Sequence, residues 1–169
     1  MRAFRVPIYA ITLVSVIVGA SATLRAQEPA QVAFPEKYRS WQLVKSIVVG
    51  PDCALFAARG GIHNYYANSQ AVEGYQTGKF PDGAVIVDEA NWMKDGEGLA
   101  KGIWMENGVR FLEVMSKDAQ TFKGSDGWGY ERFESDSRIG KLGAEGQAHC
   151  HECHVNAKQR DLVFSSLRP

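Results

Sequence analysis

The residues best able to do chemistry form one short motif, Cys150-His151-Glu152-Cys153-His154. This is C-x-x-C-H, the attachment pattern of a c-type haem. Residues i, i+3 and i+4 of a helix share one face, so Cys150 and Cys153 can bond the two vinyl groups of one porphyrin. His154 then reaches the haem iron as its axial ligand. The motif therefore predicts one covalently attached haem c, held by Cys150, Cys153 and His154.

Two other uses of a C-x-x-C pair are weaker alternatives. A zinc ion could take both cysteines with His149, His151 or His154, but His154 directly follows Cys153, which is too close for a relaxed tetrahedral site. A redox pair of the thioredoxin kind is expected near a helix N-terminus in a βαβ unit, whereas this motif lies 15 residues from the end of the chain. His149 and His151 flank Cys150; on a helix they would point away from the haem face, so they are predicted to be exposed.

The residue on the other side of the iron decides what kind of cytochrome this is. Residues 155–169 contain neither Met nor His, so a sixth ligand has to come from upstream. The candidates are His63, Met93, Met105 and Met115. An iron held by His154 alone binds small diatomic or nitrogenous ligands, whereas a closed iron only passes electrons. Both alternatives remain open at this point.

Residues 1–26 have the pattern of a secretory signal peptide. Arg2 and Arg5 precede an apolar run and a group of small residues, with acceptable cleavage sites after Ala22 or Ala26. An uncleaved membrane anchor is the alternative. Haem is attached to cysteine on the exported side of the membrane, so both features predict a periplasmic protein with a periplasmic redox partner.

Composition predicts one globular domain, and the C-x-x-C-H motif makes residues 37–169 the expected haem domain. The chain has 169 residues, 45% of them hydrophobic, and equal numbers of acidic and basic side chains. Without a basic patch, nucleic acid is excluded as a partner. Residues 27–36 are expected to be extended and to bury little. An odd total of three cysteines argues against a disulfide framework, so Cys53 is either a buried apolar residue or half of an inter-subunit disulfide.

The sequence predicts an α+β fold with four to six antiparallel strands and two or three helices, the C-terminal one carrying the motif. Asn107-Gly108 lies between two apolar runs, 102–106 and 109–117, and predicts a β-hairpin. Asn68 and Gly78 are typical of the two ends of a helix. The other expected elements are a short helix running into a strand at 41–49, strands at 54–58 and 62–67 with a bulge at Gly60-Gly61, a turn at 80–83 before a strand at 84–87, a break at 95–98, and a strand at 128–133.

The chain resembles the cytochrome P-460 / cytochrome c′-β family over about residues 36–169. The shared segments are Tyr38-Arg39-Ser40-Trp41, Gly61-Ile62-His63 running to Tyr66-Ala67-Asn68, Phe80-Pro81-Asp82-Gly83, Val114-Met115-Ser116-Lys117-Asp118, Gly127-Trp128-Gly129-Tyr130-Glu131, the C-x-x-C-H motif and Asp161-Leu162-Val163-Phe164. The resemblance implies a homodimer of antiparallel sheets, each with one five-coordinate haem c, that binds or transforms hydroxylamine or nitric oxide.

One position separates this chain from both branches of that family. The resemblance places the lysine that cross-links haem in the hydroxylamine-oxidising branch at Asp88, and a carboxylate cannot form that bond. Asp88 also differs from the apolar, phenylalanine-lined pocket of the c′-β branch. Strand alternation puts Ile86 and Asp88 on one face, so Asp88 and His63 could form a polar distal pocket. The alternative is an Asp88 in solvent at the sheet edge. The resemblance also implies a distal carboxylate, for which Glu145 is the nearest candidate.

Overall fold

The computed structural model describes residues 30–135 and 137–168, which form one five-stranded antiparallel sheet with three α-helices. The α+β prediction is confirmed. The strands are β1 (Gln42–Val49), β2 (Gly61–Ala67), β3 (Val85–Asp95), β4 (Trp104–Lys117) and β5 (Trp128–Glu134), and the helices are α1 (Phe56–Arg59), α2 (Ser69–Thr77) and α3 (Ala144–His154). The strands lie side by side in chain order. The predicted signal peptide lies outside the described residues, among which no helix is long and apolar enough to cross a membrane.

The central hairpin joins β3 to β4, but its turn is not at Asn107-Gly108. The chain reverses between Asp95 and Trp104, where the main-chain nitrogen of Gly102 donates to the Asp95 carboxylate at 2.6 Å. The hairpin prediction was therefore wrong in position. Asn107-Gly108 lies inside β4 at a register shift against β3, and Gly108 has a φ of 88°. The left-handed glycine serves a β-bulge here, a second role of the same backbone conformation.

The elements around α2 follow their local signals. The side chain of Asn68 accepts from the main-chain nitrogen of Ala71 at 2.9 Å, and Gly78 ends the helix in the left-handed conformation. The prediction of a strand at 54–58 was wrong, because residues 56–59 form the short helix α1. The helical turn expected at the start of 41–49 lies earlier, as a 3-10 turn at Tyr38–Ser40.

Each face of the sheet has its own core. The first, which we call the motif face, packs Ile86, Trp128 and Tyr130 against α2, α3 and the C-terminal segment. The second packs Val87, Leu112, Val114 and Phe133 against residues 30–41. The N-terminal segment thus buries more than expected, since Val32 is 6% exposed and Phe34 packs edge-on against Phe133.

The β3–β4 hairpin extends beyond its neighbours. β2 pairs with β3 as far as Asn91, and β5 pairs with β4 only from Phe111 onward. Residues 92–106 therefore form a two-stranded projection, which we call the arm. Its large exposed apolar side chains are Trp92, Leu99, Ile103, Trp104 and Met105.

Candidate haem site

The C-x-x-C-H residues lie on one helix, as the spacing predicts. Cys150, Cys153 and His154 all belong to α3, which ends at His154. Both thiols are free; Cys150 packs against the apolar core of the motif face, and Cys153 is exposed. Burial, followed by the charge of Glu113, raises the pKa of the Cys150 thiol to about 11. The helix therefore presents two unbonded thiols next to an imidazole.

The ring of His154 is oriented by the segment that follows α3. Its Nδ1 lies 2.7 Å from the main-chain oxygen of Leu162. A carbonyl oxygen only accepts, so Nδ1 carries the proton and Nε2 keeps its lone pair. The rings of Tyr130 and Phe164 pack beside it, with centroids 5.1 and 5.0 Å away. Burial lowers the pKa of His154 and favours the neutral imidazole that iron binds.

Tyr130 is an independent indication that this space takes a polar group. The residue is 3% exposed, yet its hydroxyl has no hydrogen-bond partner among the described residues. A buried hydroxyl without a partner costs about 1–3 kcal/mol, which a bound group or an ordered water would remove. Two free thiols, an imidazole with a free nitrogen and this hydroxyl together fit a c-type haem.

The flanking histidines do not form a zinc site. The His149 side chain is 85% exposed, as predicted. His151 is more buried than expected, since only 21% of its side chain is exposed. Its Nε2 lies 2.9 Å from the Asp126 carboxylate. Within residues 30–135 and 137–168, no three His, Cys, Asp or Glu side chains are grouped so that they could hold a metal ion. The geometry gives the zinc alternative no support.

Polar side chains cross the motif face in one row. The sheet register makes neighbours of four residues on β2 to β5, namely Tyr65, Asp88, Glu113 and Arg132. We call them the polar row. The charge of Glu113 is among the causes of the pKa shifts of both Cys150 and His154. Tyr65 of this row and Cys150 of α3 pack against the same apolar core of the motif face.

Arg59, the last residue of α1, bridges the two carboxylates of the polar row. Asp88 and Glu113 stand directly opposite each other, where like charges repel. One guanidinium nitrogen of Arg59 lies 2.7 Å from Asp88 Oδ2, and another pairs with Glu113. Arg132 lies 3.6 Å from the second oxygen of Glu113. The guanidinium groups of Arg59 and Arg132 thus lie beside the two adjacent carboxylates and offset their repulsion.

The structure brings His63 and Asp88 together, and their role in a distal pocket stays a prediction. His63 is fully buried, and its Nδ1 lies 2.9 and 3.0 Å from the two carboxylate oxygens of Asp88. Its Nε2 lies 2.6 Å from the main-chain oxygen of Arg59. Both ring nitrogens are occupied, so His63 is not placed to bind iron. Asp88 is 5% exposed on the central strand, and the alternative of a solvated Asp88 at the sheet edge was wrong.

The remaining candidates are scattered. Glu145 is exposed in the first turn of α3, whereas His63 and Asp88 are buried. Met93 and Met105 lie on the arm. Met115 alone of the predicted sixth ligands lies on the motif face with a free ligating atom, opposite Tyr130 on β5. Cys53 is exposed, so its prediction as a buried apolar residue was wrong, and the inter-subunit disulfide remains a prediction.

Sequence reasoning missed three charged or polar residues near the motif. A signal existed for Glu113, because it is the one charged residue in the apolar run from Phe111 to Met115. Alternation places it on the same face as Met115. Arg59 had no usable signal, since it lies between the strands expected at 54–58 and 62–67. Tyr130 lay in a predicted strand without any indication that its hydroxyl would be buried alone.

Comparison with known proteins agrees with this geometry. The profile of the Cytochrome P460 family matches residues 35–165, a range that includes all five strands, the helix with both cysteines, His154, and Leu162. No curated protein matches the chain. The family implies a haem-binding cytochrome, and the residues of α3 fit that group. The chain belongs to the cytochrome P460 family.

Proposed function

We propose that this protein is an exported cytochrome with one haem c, bonded to Cys150 and Cys153, whose iron is held by His154 and open on its other side. The observation that carries the proposal is the hydrogen bond from His154 Nδ1 to the Leu162 oxygen, at 2.7 Å. That bond fixes the tautomer and the ring before any haem arrives. A bound haem of this kind supplies an iron that takes small ligands and exchanges single electrons.

The polar row favours hydroxylamine as the ligand, with nitric oxide second. The side chains of Arg59 and Glu113 are 31% and 29% exposed, so a small molecule can reach them. Hydroxylamine has N–H and O–H donors that a carboxylate accepts, whereas nitric oxide has none. Glu113 can accept a proton at Oε1, since ionised carboxylates act as general bases; its other oxygen pairs with Arg59, whereas Arg132 lies 3.6 Å from Oε1, beyond hydrogen-bond distance. Electrons from oxidation would pass to a periplasmic redox partner.

An electron carrier is the alternative, and one observation favours it. Met115 lies on the motif face near Cys150 and Tyr130, where its thioether sulfur could close the sixth position of the iron. Such a protein would pass electrons without chemistry of its own. The spin state of the iron separates the two functions, because an open site is high-spin and a closed one is low-spin.

The experiment compares wild-type holoprotein with Met115→Leu by absorption spectroscopy in the ferric and ferrous states. We expect a pyridine adduct typical of haem c, high-spin iron in both proteins, and a spectral change when hydroxylamine is added. A low-spin wild type that becomes high-spin in Met115→Leu would establish the electron carrier. A red-shifted ferrous band would reveal a haem cross-link at a residue other than Asp88, and absence of haem would refute both functions.

The arm supports a homodimer, which stays part of the proposal. A two-stranded hairpin alone is marginally stable in water. This arm nevertheless exposes 51% of Trp92, 48% of Trp104 and all of Leu99. A second copy of the chain would cover these side chains and give the arm a partner. Export rests on the signal pattern of residues 1–26 and on the chemistry of haem attachment.

A further inference from the structure

We infer that His63 is a positioning residue, held as a doubly protonated imidazolium that fixes Asp88 and Arg59 and thereby sets the charge of the polar row. The inference rests on the proposed function in one respect, that the polar row faces the haem ligand. From the sequence, His63 was expected to contact the haem ligand. In this inference Arg59 and Glu113 face the ligand, and His63 acts on it only through them.

The partners of His63 determine its protonation. Nε2 lies 2.6 Å from the Arg59 carbonyl oxygen, which has no proton to give. That nitrogen must therefore donate. Nδ1 faces both oxygens of Asp88 at 2.9 and 3.0 Å. Two acceptors around one ring leave no role for a lone pair on either nitrogen.

Asp88 is the ionised partner in this pair. The Arg59 guanidinium donates to its Oδ2 at 2.7 Å, a charge-assisted contact of the kind that a carboxylate accepts. If Asp88 were neutral, Arg59 would also lose one of the two carboxylates with which it pairs. The arrangement is thus an imidazolium against a carboxylate, in which the charge of His63 balances that of Asp88.

Few charged groups surround the ring, so its protonation has identifiable causes. Asp88 acts from β3 and Arg59 from α1, while β4 presents the ring of Phe111, with centroids 6.1 Å apart, and β1 presents Ile47 in register. Burial alone would lower the pKa of His63, but the hydrogen bond and charge of Asp88 outweigh it and the pKa is raised.

The same ring anchors Arg59 at both ends. His63 donates to its main-chain oxygen, and Asp88, which His63 holds, pairs with its guanidinium. α1 buries none of its own side chains, so polar contacts of this kind hold it to the sheet. Arg110 provides two more, donating to the carbonyl oxygens of Gly60 and Ala57 at 2.9 and 3.0 Å. Arg110 holds the same segment without touching Asp88 and offers a matched control.

The first test determines how many N–H protons the His63 ring carries in the wild-type holoprotein. Histidine labelled with ¹⁵N is observed in the diamagnetic ferrous protein, with carbon monoxide added if the iron is high-spin. We expect, at pH 7.5, one ring with two N–H protons that contacts the Phe111 ring, and loss of that signal in His63→Gln. A single ring proton in the His63 signal would overturn the inference, whether or not the haem site is open.

The second test asks whether His63 reaches the ligand through the polar row. The probe is carbon monoxide on the ferrous iron, because its stretching frequency rises as the surrounding field becomes more negative. We expect the frequency of the wild type to rise between pH 6 and pH 10 as His63 loses its proton. Arg110→Gln should show the same rise, whereas His63→Gln should begin at the higher value and stay there.

The outcomes separate the inference from the proposed function. A pH-independent frequency in the wild type that equals that of His63→Gln would overturn the positioning role. An equal loss of the pH response in Arg110→Gln would also overturn it, by showing that only the attachment of α1 matters. Failure of the wild type to bind carbon monoxide would refute the open site, while the ring-proton measurement would still decide the state of His63.

Discussion

Replacing Asp88 by Asn should destabilise the protein far more than an ordinary loss of charge. The substitution keeps the shape of the side chain but removes the anion that balances Arg59 and His63. Asp88 has 7% of its side chain exposed and His63 none, so neither charge is relieved by water. Removing one partner of a buried ion pair costs about 3–5 kcal/mol.

The exposure of Arg59 lowers that figure. Its side chain is 31% exposed, and solvent screens the part of the interaction that it makes. We therefore expect a loss of about 3 kcal/mol in the free energy of unfolding for Asp88→Asn. For a domain of this size, such a loss corresponds to a Tm lower by about 10 °C.

Urea unfolding of the ferric holoprotein at pH 7, followed by tryptophan fluorescence, measures the difference. The matched control is Glu36→Gln, which breaks the ion pair with Arg138 at the surface, where the two side chains are 61% and 62% exposed. That change should cost less than about 0.5 kcal/mol. If Asp88→Asn were as mild as Glu36→Gln, Asp88 would not be a buried anion, and the argument for the polar row would fail.

Three further changes test the remaining parts of the structure. Cys150→Ser combined with Cys153→Ser should give a protein that releases all its haem in acidified organic solvent, where the wild type releases none; retention by the variant would show another covalent bond. Gly61→Ala should lower the free energy of unfolding by about 3 kcal/mol, because Gly61 has a φ of 140° and an added Cβ would lie 2.1 Å from the Asn91 main-chain oxygen. In the control Gly124→Ala, the added Cβ meets nothing within 4 Å. Equal losses of stability in the two variants would contradict the close approach at Gly61. Trp104→Lys on the arm should halve the mass measured by light scattering, and an unchanged mass would place the dimer contact elsewhere.

Local signals in the sequence determined those parts of the structure that depend on few residues. The C-x-x-C-H spacing fixed three groups on one helical turn, because helix geometry alone sets the distances between i, i+3 and i+4. Asn68 and Gly78 marked the ends of α2 for similarly local reasons. The antiparallel sheet also followed from short alternating runs. Where one local conformation serves two purposes, the sequence misled: a left-handed Gly108 suits a hairpin turn and a β-bulge equally well.

The surroundings of α3 depended on tertiary structure. Glu145 lies five residues before Cys150, yet it is exposed, whereas Glu113, far away in the chain, influences both Cys150 and His154. Sheet register decides this, since it places Asp88, Glu113 and Arg132 side by side from three separate strands. The sequence by itself determined that the three C-x-x-C-H side chains would share one helical turn, and the pairing of distant strands decided which charges lie side by side on the motif face, because side chains meet across a sheet only through long-range packing.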